Sequence, residues 1–108
     1  MSEDRESSIQ ALFLSYRESL PSLVDELNST WKKINQQWDA DLAAEFDRKV
    51  HSLAGSAATF DLDNIGDVAR KLEYTFKPLL DVNKDDSRRA TVEQLLVKLK
   101  KIIETDAH

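Results

Sequence analysis

The sequence of 108 residues has no cysteine, only two glycines and only two prolines. Without cysteine, the chain can form neither a disulfide nor a thiolate metal site. Glycine and proline interrupt regular elements, so their scarcity favours long uninterrupted helices. The length suits a single domain spanning residues 1–108, and we expect frayed ends at about residues 1–6 and 105–108.

The sequence also lacks an excess of positive charge and a long apolar run. Its formal net charge is −5, from 15 basic and 20 acidic residues. This balance argues against nucleic acid and membrane surfaces as partners, because both attract basic proteins. No apolar run approaches the roughly 20 residues that cross a bilayer, and the polar first residues do not resemble a signal peptide. We expect a cytoplasmic protein, and a monomer.

Apolar residues recur at intervals of three and four along most of the chain, which is the pattern of amphipathic helices. No segment alternates apolar and polar residues over the length of a strand, so we predict an all-α fold. Short loops between amphipathic helices favour antiparallel neighbours. The prediction is therefore an antiparallel up-down four-helix bundle with an additional short N-terminal helix.

The boundaries of the first bundle helices are predicted from proline and aspartate. A joint is expected at residues 19–21, because proline is tolerated in the first turn of a new helix. Asp39 is a plausible N-cap for a helix over about residues 40–60. The next helix is expected to follow a cap at Asp61 or Asp63, and to stop or kink near Pro78.

The last helix is expected to follow the polar loop over residues 81–87. Asp86 or Ser87 is the predicted cap, because both side chains can accept from free N–H groups. The apolar residues of this helix recur from position 92 to position 103, which is the spacing of one buried face.

His51 is one of two histidines, and the other is the last residue. With His51 at zero on a wheel of about 100° per residue, Leu42, Phe46, Leu53, Ala57 and Phe60 fall at roughly 180–240°, and Val50 lies near that side. Within about 60° of His51 lie Ala44, Asp47, Arg48, Ala54, Gly55 and Ala58. We therefore predict an exposed His51 beside a small-residue strip, made of Ala44, Ala54, Gly55 and Ala58.

The small-residue strip suggests that something must come close to the imidazole, because exposed helix positions usually take long polar side chains. Gly55 costs about 1 kcal/mol relative to alanine in a helix interior. A zinc site is disfavoured by the number of ligands, and acid–base catalysis needs a pocket with partners. Asp47 and Ser52 are simply helical neighbours of His51. The remaining role is that of a nucleophile, in which a ring nitrogen attacks a phosphoryl group and later releases it.

The stretch HSLAGSAATF, followed by VARKLE, resembles the signature of histidine-containing phosphotransfer (HPt) domains of bacterial two-component phosphorelays. The matching residues are His51, Leu53, Gly55, Ser56, Ala57 and the pair Leu72-Glu73. The resemblance covers nearly the whole chain and implies a four-helix bundle with an accessory N-terminal helix. It implies that Nε2 of His51 takes a phosphoryl group from a receiver-domain aspartate and passes it to another.

The resemblance also implies a phosphocarrier without kinase activity and without a cofactor of its own. Its partners would be receiver domains of response regulators or a hybrid histidine kinase, and Mg²⁺ would belong to the receiver. Gly55 would leave the ring edge open to the receiver loops. The same resemblance fits a module of a larger signalling protein.

One departure from the family pattern is Ala54, which stands where a lysine usually follows the histidine by three residues. Arg48 is a candidate replacement, because it lies one turn before His51 on the same side of the wheel. Arg70 and Lys77 are further candidates, in a groove that Gly66 and Glu73 would share. Solvated surface charge is the more common role for each of these cations.

The remaining supporting residues are assigned weaker roles. Asp47 is a candidate to hold Nδ1–H of His51 and so favour attack by Nε2. Ser52, Ala54 and Ala58 complete the supporting set around the histidine. Phe13 and Tyr16 could contribute to docking, but an apolar stripe favours core packing.

Two other functions stay open. The first is a helical adaptor that binds a receiver domain, or another signalling partner, without being phosphorylated, and the missing lysine at Ala54 keeps this alternative. The second is an enzyme with its own active site, which has little support because no convergent pair of carboxylates can be identified.

Overall fold

The computed structural model describes the backbone of residues 2–106 and the side chains of residues 8–105. Four α-helices follow one another: α1 (Ser2–Gln36), α2 (Ala40–Thr59), α3 (Asp63–Phe76) and α4 (Asp86–Asp106). A 3₁₀ turn over Lys77–Leu80 extends α3. No strand occurs within residues 2–106, so the predicted all-α class is confirmed.

The frayed ends stay a prediction. Met1, Ala107 and His108 lie outside the described residues. Within residues 2–106, no helix is both long enough and apolar enough to cross a membrane.

The predicted joint at residues 19–21 is wrong, and no separate short helix precedes the bundle. α1 runs through Pro21 for 35 residues. Proline removes one N–H from the helical ladder and crowds the preceding turn. However, Pro21 is exposed, whereas Leu20 and Val24 beside it are buried in the core. One turn earlier, Tyr16 stacks on Phe60 with ring centroids 4.8 Å apart. Packing on both sides of the proline keeps α1 continuous.

Two of the predicted boundaries are confirmed. Asp39 caps α2, because its Oδ1 accepts from the N–H groups of Asp41 and Leu42 at 3.0 and 3.2 Å. The α-helical part of α3 ends just before Pro78, which lies in the first turn of the 3₁₀ segment, and proline cannot continue the α-helical ladder.

The predicted caps of α3 are wrong. α3 begins after Leu62 without a side-chain cap. Asp61 instead has a left-handed φ of 57°, a conformation that aspartate tolerates better than most residues. The N–H of Leu62 donates to the carbonyl of Ala57 at 2.8 Å. This backbone turn sets the start of α3, and Asp63 is already its first residue.

The predicted cap of the last helix is also wrong, by one residue. Oδ1 of Asp85 accepts from the N–H of Arg88 at 3.0 Å. Asp86 and Ser87 therefore lie inside the first turn of α4. Several polar side chains in this loop can cap, so the sequence alone did not select between them.

The four helices surround one core. α1 packs against α2 and α4, and α3 packs against α2 and α4. The centre of the core is aromatic. The ring centroids of Phe46 and Phe76 lie 4.5 Å apart, and the centroid of Trp31 lies 6.2 Å from that of Phe46. The other fully buried side chains with the largest volumes are aliphatic: Leu27, Ile34, Leu53, Ile65, Leu72, Leu79, Leu96, Leu99, Val24 and Val50.

Contacts between neighbouring helices show their relative directions. From α2 to α1, Phe46 contacts Trp31 and Phe60 contacts Tyr16, so later residues of α2 meet earlier residues of α1. From α2 to α3, Phe46 contacts Phe76, and Ala57 lies beside Gly66, so the order is again reversed. Along both neighbouring helices, the residue order is therefore opposite to that of α2.

Candidate functional site

His51 stands on the solvent side of α2. The buried residues of this helix are Ala43, Phe46, Val50, Leu53, Ala54 and Ala57. The His51 side chain is 75% exposed, as the helical wheel predicts. The wheel also placed Leu42 and Phe60 near the core, and both are half-buried.

The His51 ring is held by a residue of the neighbouring helix. Nδ1 lies 2.6 Å from Oε2 of Glu73 in α3, and the Glu73 side chain is only 19% exposed. An ionised carboxylate can only accept a hydrogen bond, so Nδ1 carries the proton and donates it. In a neutral imidazole the other nitrogen, Nε2, then keeps its lone pair. The contact therefore fixes both the tautomer and the orientation of the ring.

Asp47 does not hold the ring, contrary to the prediction. Its side chain is turned into the groove between α2 and α3 and is 16% exposed. Oδ2 lies 3.7 Å from Nζ of Lys77, and Oδ1 is buried without a hydrogen-bond partner among the described residues. Asp47 lies one turn before His51, but the side of α2 that carries it faces α3. The contact with Nδ1 therefore belongs to Glu73.

Lys77 connects these two carboxylates. Its Nζ lies 3.7 Å from Asp47 and 3.8 Å from Oε2 of Glu73, the same oxygen that approaches His51. The side chain is 60% exposed. A continuous line of charged and polar groups therefore runs Asp47, Lys77, Glu73, His51 across the α2–α3 groove.

The other predicted supporting residues are less closely placed. Arg48 and Ser52 are exposed, and neither forms an ion pair or hydrogen bond with His51 in the part of the chain described. Arg70 is exposed and lies 3.7 Å from Asp67 on its own helix. The structure therefore brings Lys77, rather than the two arginines, to the carboxylate that holds the ring.

The small-residue strip is partly as predicted. Ala44, Gly55 and Ala58 are exposed. Ala54 is buried, with 6% exposure, so its predicted exposure is wrong. The physical reason is that Ala54 lies on the same side of α2 as Ala57, and α3 covers that side. More of the surface of α2 is therefore buried on the side that faces α3 than the helical wheel predicted.

The two glycines have opposite environments. Among the described residues, a Cβ placed on Gly55 would meet nothing within 4 Å apart from its own helix and chain neighbours, whereas one on Gly66 would lie 3.6 Å from Cβ of Ala57. Gly66 lies at a helix contact, where an added Cβ would reach ordinary van der Waals distance of Ala57. No contact within the described part of the chain requires a glycine at position 55, so its place one turn after His51 leaves open space above the ring edge.

Phe13 and Tyr16 both pack against another aromatic side chain. Both rings contact Phe60, with centroids 5.7 and 4.8 Å away. Burial raises the pKa of Tyr16 above its usual value, and the nearby Ser56 hydroxyl partly offsets this. Tyr16 packs against the core, as predicted, whereas Phe13 is half-buried and contacts Phe60.

Sequence reasoning placed Glu73 in the groove but missed its hydrogen bond to His51. A usable signal was present. If α2 and α3 form a hairpin about residues 61–62, residue 51 falls opposite residues 72–73. The same count places Lys77 opposite Asp47. The hairpin register, rather than the helical wheel of α2 alone, predicts the partner of the ring.

Comparison with protein families gives a match to the family described as the Hpt domain, over residues 15–105. Comparisons with curated proteins and with solved structures gave no match. The matched region contains all of α2 and α3 and therefore His51, Glu73 and Lys77. Residues 1–14, the first part of α1, lie outside it.

Proposed function

Because this chain belongs to the Hpt domain family, we propose that His51 relays a phosphoryl group between receiver-domain aspartates. A phosphotransfer-related role in two-component signalling follows from the family, whose domains are phosphocarriers rather than enzymes. The acceptor residue and the direction of the relay are the proposed part.

One observation carries the proposal. His51 is 75% exposed, and its Nδ1 lies 2.6 Å from a carboxylate that is itself mostly buried. Nε2 is thereby presented to solvent with a free lone pair. A ring held in one tautomer and orientation loses less freedom when a partner approaches, which favours a near-attack geometry.

The proposed step is a reversible transfer between two proteins. The lone pair of Nε2 attacks phosphorus of the receiver aspartyl phosphate, and the bond from phosphorus to the aspartate oxygen breaks. The electron pair of that bond returns to the aspartate as a carboxylate. The ring becomes a phosphorylated imidazolium whose Nδ1–H still donates to Glu73. Attack by a second receiver aspartate on phosphorus restores neutral His51.

Partners follow from the family at a coarse level. Hpt domains interact with receiver domains of response regulators and with kinases in phosphorelays. For this chain we propose docking over the exposed part of the small-residue strip, namely Ala44, Gly55 and Ala58, next to His51. We also propose that Mg²⁺ is supplied by the receiver, that the chain acts as a monomer, and that it works in the cytoplasm.

The finer fold assignment is an antiparallel up-down four-helix bundle. Its support is the reversed contact order from α1 to α2 and from α2 to α3. The start of α4 also lies beside the ends of α1 and α3. Arg89 donates to the carbonyl of Asn35 and Arg88 donates to the carbonyl of Thr75, both at 3.1 Å.

The test is phosphorylation by a phosphorylated receiver domain, tried over a panel of receivers. We expect acid-labile, base-stable phosphate on the wild-type chain and none on His51→Ala. His108→Ala is the matched control, because it removes the only other histidine and should leave labelling unchanged. Label that persists on His51→Ala would refute the acceptor assignment.

The same experiment tests the adaptor alternative, which the absence of a lysine at Ala54 keeps open. An adaptor would bind a receiver and yet take no label from any member of the panel. Binding is measured by calorimetry with the unphosphorylated receivers. Wild-type chain that binds a receiver tightly but remains unlabelled would therefore replace the phosphocarrier proposal by the adaptor.

A further inference from the structure

The position three residues after the histidine, Ala54, cannot supply a positive charge in this chain. Ala54 carries only a methyl group and is 6% exposed, on the side of α2 that α3 covers. A phosphoryl group on His51 would add roughly two negative charges. It would be attached to the ring that contacts Glu73, and Asp47 is a second carboxylate of the same groove. Some cation must offset this repulsion for the group to be accepted readily.

The sequence offers three candidate cations, Arg48, Arg70 and Lys77. Arg70 lies 3.7 Å from Asp67 on the exposed side of α3. Arg48 is exposed, and no ion pair holds it within the described part of the chain. Lys77 differs from both, because it lies 3.8 Å from the glutamate oxygen that contacts the His51 ring.

We propose, on the basis of the phosphotransfer proposed for His51, that Lys77 supplies the positive charge that receives the phosphoryl group on Nε2. The cation then comes from the 3₁₀ turn after α3, across the groove, instead of from α2. No bond is made or broken by Lys77. It moves from two carboxylates toward a phosphoryl oxygen and donates a hydrogen bond to it, so it is a positioning residue for the transfer.

The geometry supports this movement. Lysine has a flexible four-carbon stem that ends in three rotatable donors. The Lys77 side chain is 60% exposed, and both of its carboxylate contacts are longer than 3.5 Å, so neither holds Nζ tightly. Asp47 and Glu73 keep the ammonium near the ring before the phosphoryl group arrives. The phosphoryl oxygens then offer a more highly charged acceptor.

The experiment must separate the effect of the positive charge of Lys77 from other effects of replacing its side chain. The variants are Lys77→Gln, which removes the charge, and Lys77→Arg, which keeps it. Lys71→Gln is the matched control, because it removes the same charge from an exposed position of α3. Arg48→Gln tests the competing cation. Each protein is phosphorylated with phosphoramidate, a small donor that does not require receiver docking, and helicity is checked by circular dichroism.

The main measurement is the phosphorus NMR titration of the phosphohistidine. Loss of a nearby positive charge favours the protonated phosphoryl group, so Lys77→Gln should raise the phosphoryl pKa by about half a unit. Transfer from a phosphorylated receiver should slow about tenfold, which corresponds to about 1.4 kcal/mol. The transfer rate of Lys77→Arg should stay within about twofold of wild type, because arginine retains the positive charge. Lys71→Gln should match wild type in both measurements.

The outcomes are distinct. A phosphoryl pKa and transfer rate in Lys77→Gln equal to those of wild type would overturn the role of Lys77. So would a shift seen in Arg48→Gln alone, which would assign the charge to Arg48. A wild-type chain that phosphoramidate and receivers both fail to label would instead refute the proposed function itself, and the Lys77 role would fall with it.

Discussion

Substitution of Gly55 should separate stability from function. The glycine lies inside α2, and a Cβ there would meet nothing within 4 Å in the described structure outside its own helix. Alanine is favoured over glycine in a helix interior by about 1 kcal/mol. No clash in the folded state offsets that gain. We therefore expect Gly55→Ala to raise the free energy of unfolding by nearly this amount, and the Tm by about 4–6 °C.

A longer side chain at the same position should also be stabilising, yet harmful to transfer. Arginine has nearly the helix propensity of alanine, so Gly55→Arg should fold at least as stably as wild type. Its side chain would occupy the space one turn after His51 that a docking partner needs. A displacement of about 1 Å between reacting groups can cost on the order of a hundredfold in rate. We expect a loss of transfer from a receiver domain of that size.

The assay compares two phosphoryl donors. A phosphorylated receiver requires docking, whereas phosphoramidate reaches His51 without it, so Gly55→Arg should be labelled by the second and not by the first. Gly66→Ala is the matched control, because its Cβ would only reach ordinary contact with Ala57 at 3.6 Å on the buried side. Normal transfer from the receiver by folded Gly55→Arg would refute the clearance argument. A lower Tm for Gly55→Ala would refute the open geometry.

Three further predictions test the site and the fold. Glu73→Ala removes the acceptor of His51 Nδ1–H, a charge-assisted hydrogen bond of about 1.5–3 kcal/mol when sheltered. Because the ring is mostly exposed, we expect about a tenfold slower transfer, with a smaller loss in Glu73→Gln; equal rates for Glu73→Ala and wild type would exclude the orienting role. Burial raises the pKa of Tyr16 above 10.0, so its neutral hydroxyl supports the folded state fully below pH 10, and this support is lost as the pH rises through the raised pKa. Melting temperatures measured from pH 8 to 11 should fall less steeply for Tyr16→Phe, and identical slopes would count against burial of the hydroxyl. Pro21→Ala restores an N–H inside α1 and should stabilise the chain by about 1–2 kcal/mol in urea titration; a lower stability would show that the proline contributes a contact of its own.

Much of the fold followed from local patterns. The spacing of apolar residues predicts the buried face of α2, because side chains three and four positions apart lie on one side of a helix. Asp39 before an amphipathic segment predicts its start, because the cap uses only the next three residues. The continuity of α1 was not predictable in this way. Proline favours a break locally, and only the core packing of Leu20 and Val24 on either side overrides it.

The candidate site also combines features that one helix determines with features that depend on how two helices pack. The exposure of His51 and the opening at Gly55 depend on their positions within one helix, so the sequence by itself predicts them. The contact of Glu73 with His51 and the position of Lys77 beside Glu73 depend on how α3 and the turn after it are aligned against α2, because these residues lie 22 and 26 positions after the histidine.

The sequence by itself determined the all-helical class, the outward histidine and the absence of the usual lysine at Ala54. These are properties of composition and of a single helical period, which act over a few residues. Only the tertiary structure decided that Ala54 is covered, that Glu73 contacts Nδ1 of the ring, and that Lys77 lies beside the same glutamate. Those facts depend on the register between two helices, and the packing of buried side chains over the whole core determines that register.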